Sequence, residues 1–210
     1  MSELKLRIIV GIILAAVAIC LIGAGGYVFA LSAAIMAALI FREWRHLTGA
    51  SLKWMTAGFF YALLPVLALT LLRLQPNGLW LVTWIVAVTA ATDIGAFFSG
   101  RLIGGPKLCP ALSPKKTWSG LIGGMIAAAV TAYFIADFGH LPFVMKVIGA
   151  PMAVVAQAGD FFESWLKRRA NVKDSGNLLP GHGGIMDRVD GLLPVALLTA
   201  ILIKIGAFLL

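Results

Sequence analysis

The chain has 210 residues, of which 60% are hydrophobic and only 12% are charged, and its mean hydropathy is +0.96. This composition excludes an ordinary soluble globular domain and indicates a protein with several membrane-spanning helices. The formal net charge of +8 does not indicate nucleic-acid binding, because the basic residues fall in short stretches between apolar runs. Cys20 and Cys109 have no partner at metal-ligand or redox spacing, so no disulfide framework is expected.

Apolar segments of about 20 residues, the length of a bilayer-spanning helix, recur along the chain. They predict an all-α, polytopic integral membrane protein with about seven transmembrane helices, at residues 8–22, 27–41, 54–72, 79–99, 118–136, 142–163 and 191–210. The first two are short and are separated only by the glycine-rich turn 23–26, so counts of six or eight are compatible with the pattern. The first apolar run continues past Cys20, and we therefore expect a retained helix rather than a cleaved signal.

Basic residues predict how the helices are oriented. With the N-terminus in the cytoplasm, only Arg73, Lys146 and Lys204 fall on the far side, which leaves 14 of the 17 lysines and arginines on the cytoplasmic side. This asymmetry follows the positive-inside rule. It places the two charged loops, 101–117 and 167–187, on one face of the membrane, where a single site can use both.

The helix predicted to end near Arg169 carries its polar residues on one face. Positions i, i+3, i+4, i+7 and i+8 are Asp160, Glu163, Ser164, Lys167 and Arg168, and Gln157 adds a further turn. Carboxylate, hydroxyl and cation together suit a metal-bound triphosphate. The alternative is a lysine–arginine anchor at a helix end. An anchor does not explain Asp160, because an acidic residue at the end of an apolar run is costly.

A glycine-rich turn lies between this helix and the last one. In it Pro180, Gly181, Gly183 and Gly184 surround His182. Glycines let backbone N–H groups approach phosphate oxygens, and His182 can donate to a phosphate or to a leaving pyrophosphate. The alternative is an ordinary turn with a solvent-facing histidine.

Asp187, Arg188 and Asp190 open the last helix, and the two carboxylates face the same way because they are three residues apart. Hard oxygen ligands in this arrangement suit Mg²⁺, which takes one or two protein carboxylates and completes its shell with phosphate and water. The alternative is that acidic residues in a first helical turn only complement the helix dipole. That alternative explains either carboxylate alone better than both together.

Two further features lie upstream. Asp93 sits in an otherwise apolar run and is expected to face protein or water, which favours a functional role. An anion site is predicted where hydroxyls and N-terminal amides begin the fifth helix, from Ser113, Lys115, Lys116 and Thr117. Thr117 can instead be an ordinary N-cap. The glycine spacing of a Walker A loop is absent.

At these residues the chain resembles the phosphatidate cytidylyltransferases, also called CDP-diacylglycerol synthases. Residues 164–190 match that family's long pattern of S-x-apolar-K-R, four residues, K-D, a stretch of five residues that contains a small residue, and P-x-H-G-G-apolar-x-D-R-apolar-D. The upstream segments TDIGAFFSGRLIG and LSPKKTWSGLIGG also resemble the family. The likeness covers residue 92 to the C-terminus, whereas the N-terminal third offers only apolar spans ending in a FREW segment.

The resemblance implies that CTP and phosphatidate react to give CDP-diacylglycerol and pyrophosphate with a divalent metal. It implies that Asp160 and Asp187 are metal ligands, with Asp190 and Asp93 close by. The resulting prediction has a catalytic set of Asp160, Asp187 and Lys167 and a Mg²⁺ site of Asp160, Asp187 and Asp190, with a second cation left open. The predicted substrate-binding residues are Asp93, Ser113, Lys116, Thr117, Ser164, Arg168, Lys173, Asp174, His182, Gly183, Gly184 and Arg188.

The expected partners are CTP, phosphatidate and membrane lipid, without nucleic acid, and a homodimer is left open. The expected location is the bacterial inner membrane, with the active site on the cytoplasmic side. Within one membrane domain, residues 1–90 form variable N-terminal helices and residues 91–210 form the catalytic region. The alternative function is a CTP-dependent polyprenol or phytol-type lipid kinase. A transporter is less favoured, because its charges would follow several helices through the bilayer.

Overall fold

The computed structural model describes residues 3–179, 181 and 183–204. Its elements are, in chain order, α1 (Glu3–Ala24), α2 (Gly26–Thr48), α3 (Leu52–Arg73), α4 (Gly78–Leu102), β1 (Lys107–Cys109), β2 (Ser113–Thr117), α5 (Trp118–Phe138), α6 (Phe143–Val147), α7 (Gly149–Arg169), α8 (Met186–Val189) and α9 (Leu192–Lys204). The helical architecture predicted from the sequence is confirmed. Each predicted span falls on a helix as far as the residues are described, and the sixth is divided between α6 and α7.

Helix length and composition support several membrane crossings. Among the described residues, α2, α3, α4 and α5 are long and apolar enough to cross a membrane, and α1 and α9 contribute the shorter apolar helices Ile8–Ala24 and Leu192–Lys204. α7 has 21 residues, but the polar residues of its second half lower its hydropathy. The structure thus confirms a polytopic membrane protein without confirming the count of seven spans.

The larger core forms around α4. Trp84, Ile85 and Val88 are completely buried. They belong to a cluster with Ala128, Ala132, Ala136, Met145 and Met152. The indole N–H of Trp84 donates to the backbone oxygens of Ala132 and Met145, both at 3.2 Å, so this buried polar group is satisfied.

α4 and α5 pack closely because small residues face one another. A Cβ atom added at Gly124 would lie 2.9 Å from the backbone oxygen of Thr92, and one added at Gly120 would lie 3.0 Å from that of Ala96. Membrane helices commonly associate through such small residues, which let backbones approach. The close packing brings Asp93 of α4 beside the start of α5.

We expect Gly124→Ala to destabilise the protein, because the backbone oxygen of Thr92 cannot move aside as a flexible side chain can. The free energy of unfolding should fall by about 1–3 kcal/mol, the usual cost of overpacking. The measurement is thermal unfolding of both proteins in detergent. Gly23→Ala is the matched control, since an added Cβ there meets nothing within 4 Å. Equal unfolding temperatures for the two variants would contradict the close packing.

A second core ties α2 to the segment after α7. Ile40 and Trp44 of α2 are buried with Leu166, Met186 and Leu193. The indole N–H of Trp44 donates to the backbone oxygen of Trp54 at 2.7 Å. α2 is therefore fixed against the part of the chain that carries Asp187.

The loop between α4 and α5 contains an antiparallel hairpin that the sequence did not predict. Lys107 of β1 pairs with Thr117 of β2, and Cys109 pairs with Ser113. The two strands have only three and five residues, and no regular hydrophobic alternation reveals them in the sequence. It sets the position of Lys116, the residue before Thr117.

Candidate active site

A cavity of about 510 Å³ lies between α4, the hairpin, the start of α5 and α7. Its polar lining includes Asp93, Arg101, Lys115, Lys116, Gln157 and Asp160. Apolar and small residues such as Phe97, Leu108 and Gly120 complete the wall. The predicted loop 101–117 therefore meets the middle of α7 through Lys116, whereas no described residue of the second charged loop, 167–187, lines this cavity.

Lys116 is the central cation of this cavity. Its ammonium donates to the Gln157 side-chain oxygen at 2.7 Å and forms a salt bridge with Asp160. It also lies 4.8 Å from the centre of the Phe161 ring. The Lys116 and Asp160 side chains are 19% and 29% exposed, so the pair is held in place yet remains reachable from the cavity. An anionic ligand can therefore compete with Asp160 for the ammonium.

Thr117 is the N-cap of α5, which confirms the N-cap alternative. Its hydroxyl accepts a hydrogen bond from the backbone N–H of Gly120 at 3.1 Å, and the residue is buried. Thr117 and Gly120 both line the cavity. The N-terminal end of the 21-residue α5, with its partial positive charge, is thus directed at the cavity.

A second cluster forms around Asp187. One of its carboxylate oxygens accepts from the Lys167 ammonium at 2.6 Å, and the other accepts from the backbone N–H groups of Ser175 and Gly184, both at 2.8 Å. The Ser175 hydroxyl lies 2.9 Å from the second oxygen. Burial acts to raise the pKa of Asp187, but the hydrogen bonds from Lys167, Gly184 and Ser175 outweigh it and lower the pKa. Asp187 is therefore an ionised, firmly held carboxylate.

Glu163 of α7 is a buried acidic residue with few hydrogen-bond donors around it. Its side chain is 0% exposed, no N–H group of the described residues donates to either carboxylate oxygen, and its carboxyl group lies against that of Asp190. The Lys167 ammonium lies 3.4 Å from one of these oxygens, which is an ion pair without hydrogen-bond geometry. A buried carboxylate with unmet hydrogen-bonding capacity is costly. Such a group is one that an added cation would stabilise.

Asp190 lies where the two clusters meet. The backbone N–H of Gly191 donates to its carboxylate at 2.7 Å. α7 passes so close that a Cβ at Gly159 would overlap the Asp190 backbone. Asp190 interacts electrostatically with Asp160, Glu163 and Asp93. Acidic side chains of α4, α7 and the α8–α9 junction thus surround one region.

The side chains offer hard oxygen donors but no ready-made metal cage. Within residues 3–179, 181 and 183–204, no group of three or more histidine, cysteine or acidic side chains is arranged as a metal-ligand set. Asp160 and Asp187 are instead paired with Lys116 and Lys167. Mg²⁺ needs only one or two protein carboxylates when phosphate oxygens fill the rest of its shell. The arrangement suits a cation that binds together with a polyphosphate.

Several predicted site residues lie at the margin of the two clusters. Arg168, Lys173, Asp174 and Arg188 are exposed. The Arg168 guanidinium donates to the backbone oxygen of Val172 at 3.2 Å and so braces the end of α7. Ser113 is half-buried in β2. These five residues lie around the two clusters rather than within their hydrogen-bond networks.

Ser164 and the glycine-rich turn have specific local roles. The Ser164 hydroxyl donates to Asp160 at 3.3 Å, as the spacing on one helix face predicted. Gly183 has a φ of +81°, a backbone conformation that favours glycine. It also forms an isolated antiparallel β-bridge with Leu179. The N–H of Gly184 is taken by Asp187 rather than left open for phosphate. His182 lies outside the described residues.

Glu43 is a residue that the sequence did not single out. It lies in α2, is only 6% exposed, and accepts hydrogen bonds from Ser175, Ile185 and Met186. The sequence did contain a signal for a functional or structural role of Glu43, since an acidic residue next to an apolar run is unusual. Arg42 and the other basic neighbours at the end of α2 masked that signal, because such a mixture is typical of a solvated helix end.

A second cavity, of about 780 Å³, is lined in part by Glu43 and Ser175. Its wall carries Arg42, Arg45, His46 and Asn177 beside apolar residues of α2. The two cavities have no lining residue in common. The Glu43–Ser175 pair therefore separates this basic cavity from Asp187.

The fold and the polar clusters define an integral membrane protein with a charged site at one end of its helices. A model of the cytidylyltransferase family matches residues 48–206, and the chain belongs to this family.

Named relatives agree with this assignment. The chain is 46% identical to a phosphatidate cytidylyltransferase of Brucella suis biovar 1 (strain 1330) over 165 residues, which are 77% of this chain and 60% of that protein. It is 36% identical to a phosphatidate cytidylyltransferase of Rickettsia bellii (strain RML369-C) over 207 residues, which are 93% of this chain and 88% of that protein. The corresponding protein of Rickettsia conorii (strain ATCC VR-613 / Malish 7) is 32% identical over 207 residues. The match thus spans about 60% of the length of the Brucella relatives.

Proposed function

We propose that this protein transfers the cytidylyl group of CTP to phosphatidate and gives CDP-diacylglycerol and pyrophosphate. The observation that carries the proposal is a pair of lysine–carboxylate contacts, Lys116 with Asp160 and Lys167 with Asp187, on either side of one acidic region. The relatives named as phosphatidate cytidylyltransferases support the same reaction.

The chemistry needs positioning and charge neutralisation more than proton transfer. A phosphate oxygen of phosphatidate attacks the α-phosphorus of CTP, the bond from that phosphorus to the bridging oxygen of the β-phosphate breaks, and pyrophosphate leaves with the electron pair. The attacking oxygen is already anionic, so no strong general base is required. Catalysis then rests on bringing two anions together and stabilising the charge on the equatorial oxygens.

The lysines and the start of α5 can supply that stabilisation. Lys116 exchanges part of its contact with Asp160 for a phosphate oxygen, and the N-terminal amides of α5 face the same cavity. Lys167 holds Asp187 and reaches the acidic region from α7. Each of these groups is fixed before substrate arrives, which lowers the reorganisation needed in the transition state.

We also propose that Mg²⁺ is held by one or two carboxylates of the set Asp160, Asp187 and Asp190, with phosphate oxygens of the substrate completing its shell. The side chains fit this ion because they are hard oxygen donors and because the neighbouring buried Glu163 and Asp190 crowd two carboxyl groups together, with no N–H group of the described residues donating to Glu163. Mg²⁺ supplies neutralisation of the negative charge on the triphosphate when bound. Asp187 is already oriented for this role by Ser175 and Gly184.

The test is an assay of purified protein in detergent with CTP, phosphatidate and Mg²⁺. CDP-diacylglycerol and pyrophosphate should appear in equal amounts. A lipid kinase would instead release CDP and phosphorylate a lipid hydroxyl, and it would need a base for that hydroxyl. Formation of CDP and a new phospholipid from polyprenol or phytol, with no product from phosphatidate, would reject the proposal.

We further propose that the site faces the cytoplasm from the bacterial inner membrane. The excess of lysine and arginine on one side supports this orientation. Both polar clusters lie near that end, whereas Arg73 donates to the backbone oxygen of Ile22 at 2.8 Å at the other end. CTP is a cytosolic anion, so a site that opens to the cytoplasm can bind it directly. The homodimer stays a prediction.

The orientation predicts opposite labelling of two single cysteines. In a background without Cys20 and Cys109, Asn177→Cys should resist a membrane-impermeant thiol reagent in intact spheroplasts and react once the membrane is opened. Gln75→Cys, in the turn after α3, should react in the intact spheroplasts. Both native residues are exposed, so access to the membrane side decides the result. Labelling of Asn177→Cys from outside would overturn the proposed orientation.

A further inference from the structure

We propose that Glu43 is a positioning residue for Asp187, acting through Ser175 and the start of α8. This inference rests on the proposed function, since it assigns Glu43 a role in the same site. Glu43 lies in α2, before the residues 48–206 that match the family model. We therefore infer its role only from the contacts that Glu43 makes in this structure.

The Glu43 carboxylate binds three donors from the segment that carries Asp187. One oxygen accepts from the N–H of Ile185 at 2.9 Å, and the other accepts from the N–H of Met186 at 2.9 Å and from the Ser175 hydroxyl at 2.8 Å. Two of these donors are backbone groups immediately before Asp187. Glu43 thereby fixes the backbone from which the Asp187 side chain extends.

Ser175 connects the two carboxylates. Its hydroxyl lies 2.8 Å from Glu43 and 2.9 Å from Asp187. A hydroxyl has one proton and can donate to only one of them at a time. The Ser175 backbone N–H remains on Asp187 at 2.8 Å in either case. Glu43 therefore helps to place the Ser175 backbone, and the Ser175 backbone places the Asp187 carboxylate.

The surrounding chain packs closely against the Glu43 carboxylate. A Cβ added at Gly184 would overlap both the Ser175 hydroxyl and the Glu43 carboxylate. A Cβ added at Gly176 would lie 3.0 Å from a Glu43 oxygen. Such tight enclosure of a buried carboxylate by neutral donors is costly unless all of its hydrogen bonds are made. The enclosure thus fixes Ser175 and the backbone of residues 184–186 against Glu43.

The decisive variant is Glu43→Gln, which keeps the size but replaces an acceptor oxygen with an NH₂ donor facing backbone N–H groups. Changes to groups that orient metal ligands typically cost about 10–100-fold in activity or metal affinity. We expect kcat to fall by about that factor, and the Mg²⁺ concentration for half-maximal activity to rise. Glu43→Asp should be intermediate, because it keeps the acceptors but shortens their reach. Asp137→Asn is the matched control, an exposed carboxylate that pairs with Lys146 at the other end of the protein.

Hydrogen exchange provides a readout that does not depend on activity. In detergent without substrate, the amides of Ile185 and Met186 should exchange faster in Glu43→Gln than in the wild type, and Asp137→Asn should leave them unchanged. Unchanged exchange would overturn the proposal. Faster exchange with an unaltered kcat and Mg²⁺ requirement would also overturn it, because the residue would then be only structural.

Ser175→Ala keeps the experiment decisive if Glu43→Gln does not fold. It removes the hydroxyl that reaches both carboxylates but leaves the contacts of Glu43 with Ile185 and Met186, so the amides of those two residues should exchange more slowly in Ser175→Ala than in Glu43→Asp. Equal or faster exchange of these amides in Ser175→Ala would contradict the assignment to Glu43. An inactive wild type would refute the proposed function, whereas the exchange rates of Ile185 and Met186 would still decide whether Glu43 holds the Asp187 segment.

Discussion

Asp187→Asn should lower the formation of CDP-diacylglycerol by at least about a hundredfold, on the scale of lost metal-mediated charge stabilisation. Asparagine has nearly the same size but lacks the charge that attracts Lys167 and the proposed Mg²⁺. It also leaves only one acceptor oxygen where Asp187 uses two, for Lys167 on one side and for Ser175 and Gly184 on the other. The measurement is the initial rate at saturating CTP, phosphatidate and Mg²⁺.

The control for this loss is Asp137→Asn, which makes the same chemical change in the exposed pair with Lys146. Its activity should equal that of the wild type. Unfolding temperatures of both variants separate lost chemistry from lost folding. Substantial activity of Asp187→Asn at saturating Mg²⁺ would remove Asp187 from the proposed metal site.

Asp160→Asn should cause a loss of similar size, at least about a hundredfold, by a different route. The change removes a proposed metal ligand and also releases Lys116, whose ammonium is held by Asp160 and Gln157. CTP binding, measured by calorimetry without phosphatidate, should then lose its dependence on Mg²⁺. Mg²⁺-dependent CTP binding equal to that of the wild type would contradict the role given to Asp160.

Local patterns in the sequence predicted much of the architecture and part of the site. Apolar runs located the helices, because a bilayer dictates their length. Helical periodicity placed Asp160 and Ser164 on one face of α7, and their side chains do meet. The polar face that supplies the site also explains why α7 is less apolar than its neighbours.

Contacts between distant segments could not be predicted in this way. Lys116 finds Asp160 across 44 residues, and Glu43 finds Ser175 across 132 residues, so no periodicity links either pair. The N–H of Gly184 is another example, since its capture by Asp187 depends on how the turn folds. Hydrogen bonds of this kind are decided by tertiary packing, which a single sequence expresses only indirectly.

The fate of each phosphate of CTP tests the central claim most directly. Purified protein is given phosphatidate and Mg²⁺ with CTP labelled at the α-phosphate in one reaction and at the γ-phosphate in the other. Cytidylyl transfer predicts that the α-label enters the lipid product and that the γ-label leaves entirely as pyrophosphate. Appearance of the γ-label in lipid, with the α-label remaining in CDP, would contradict the account.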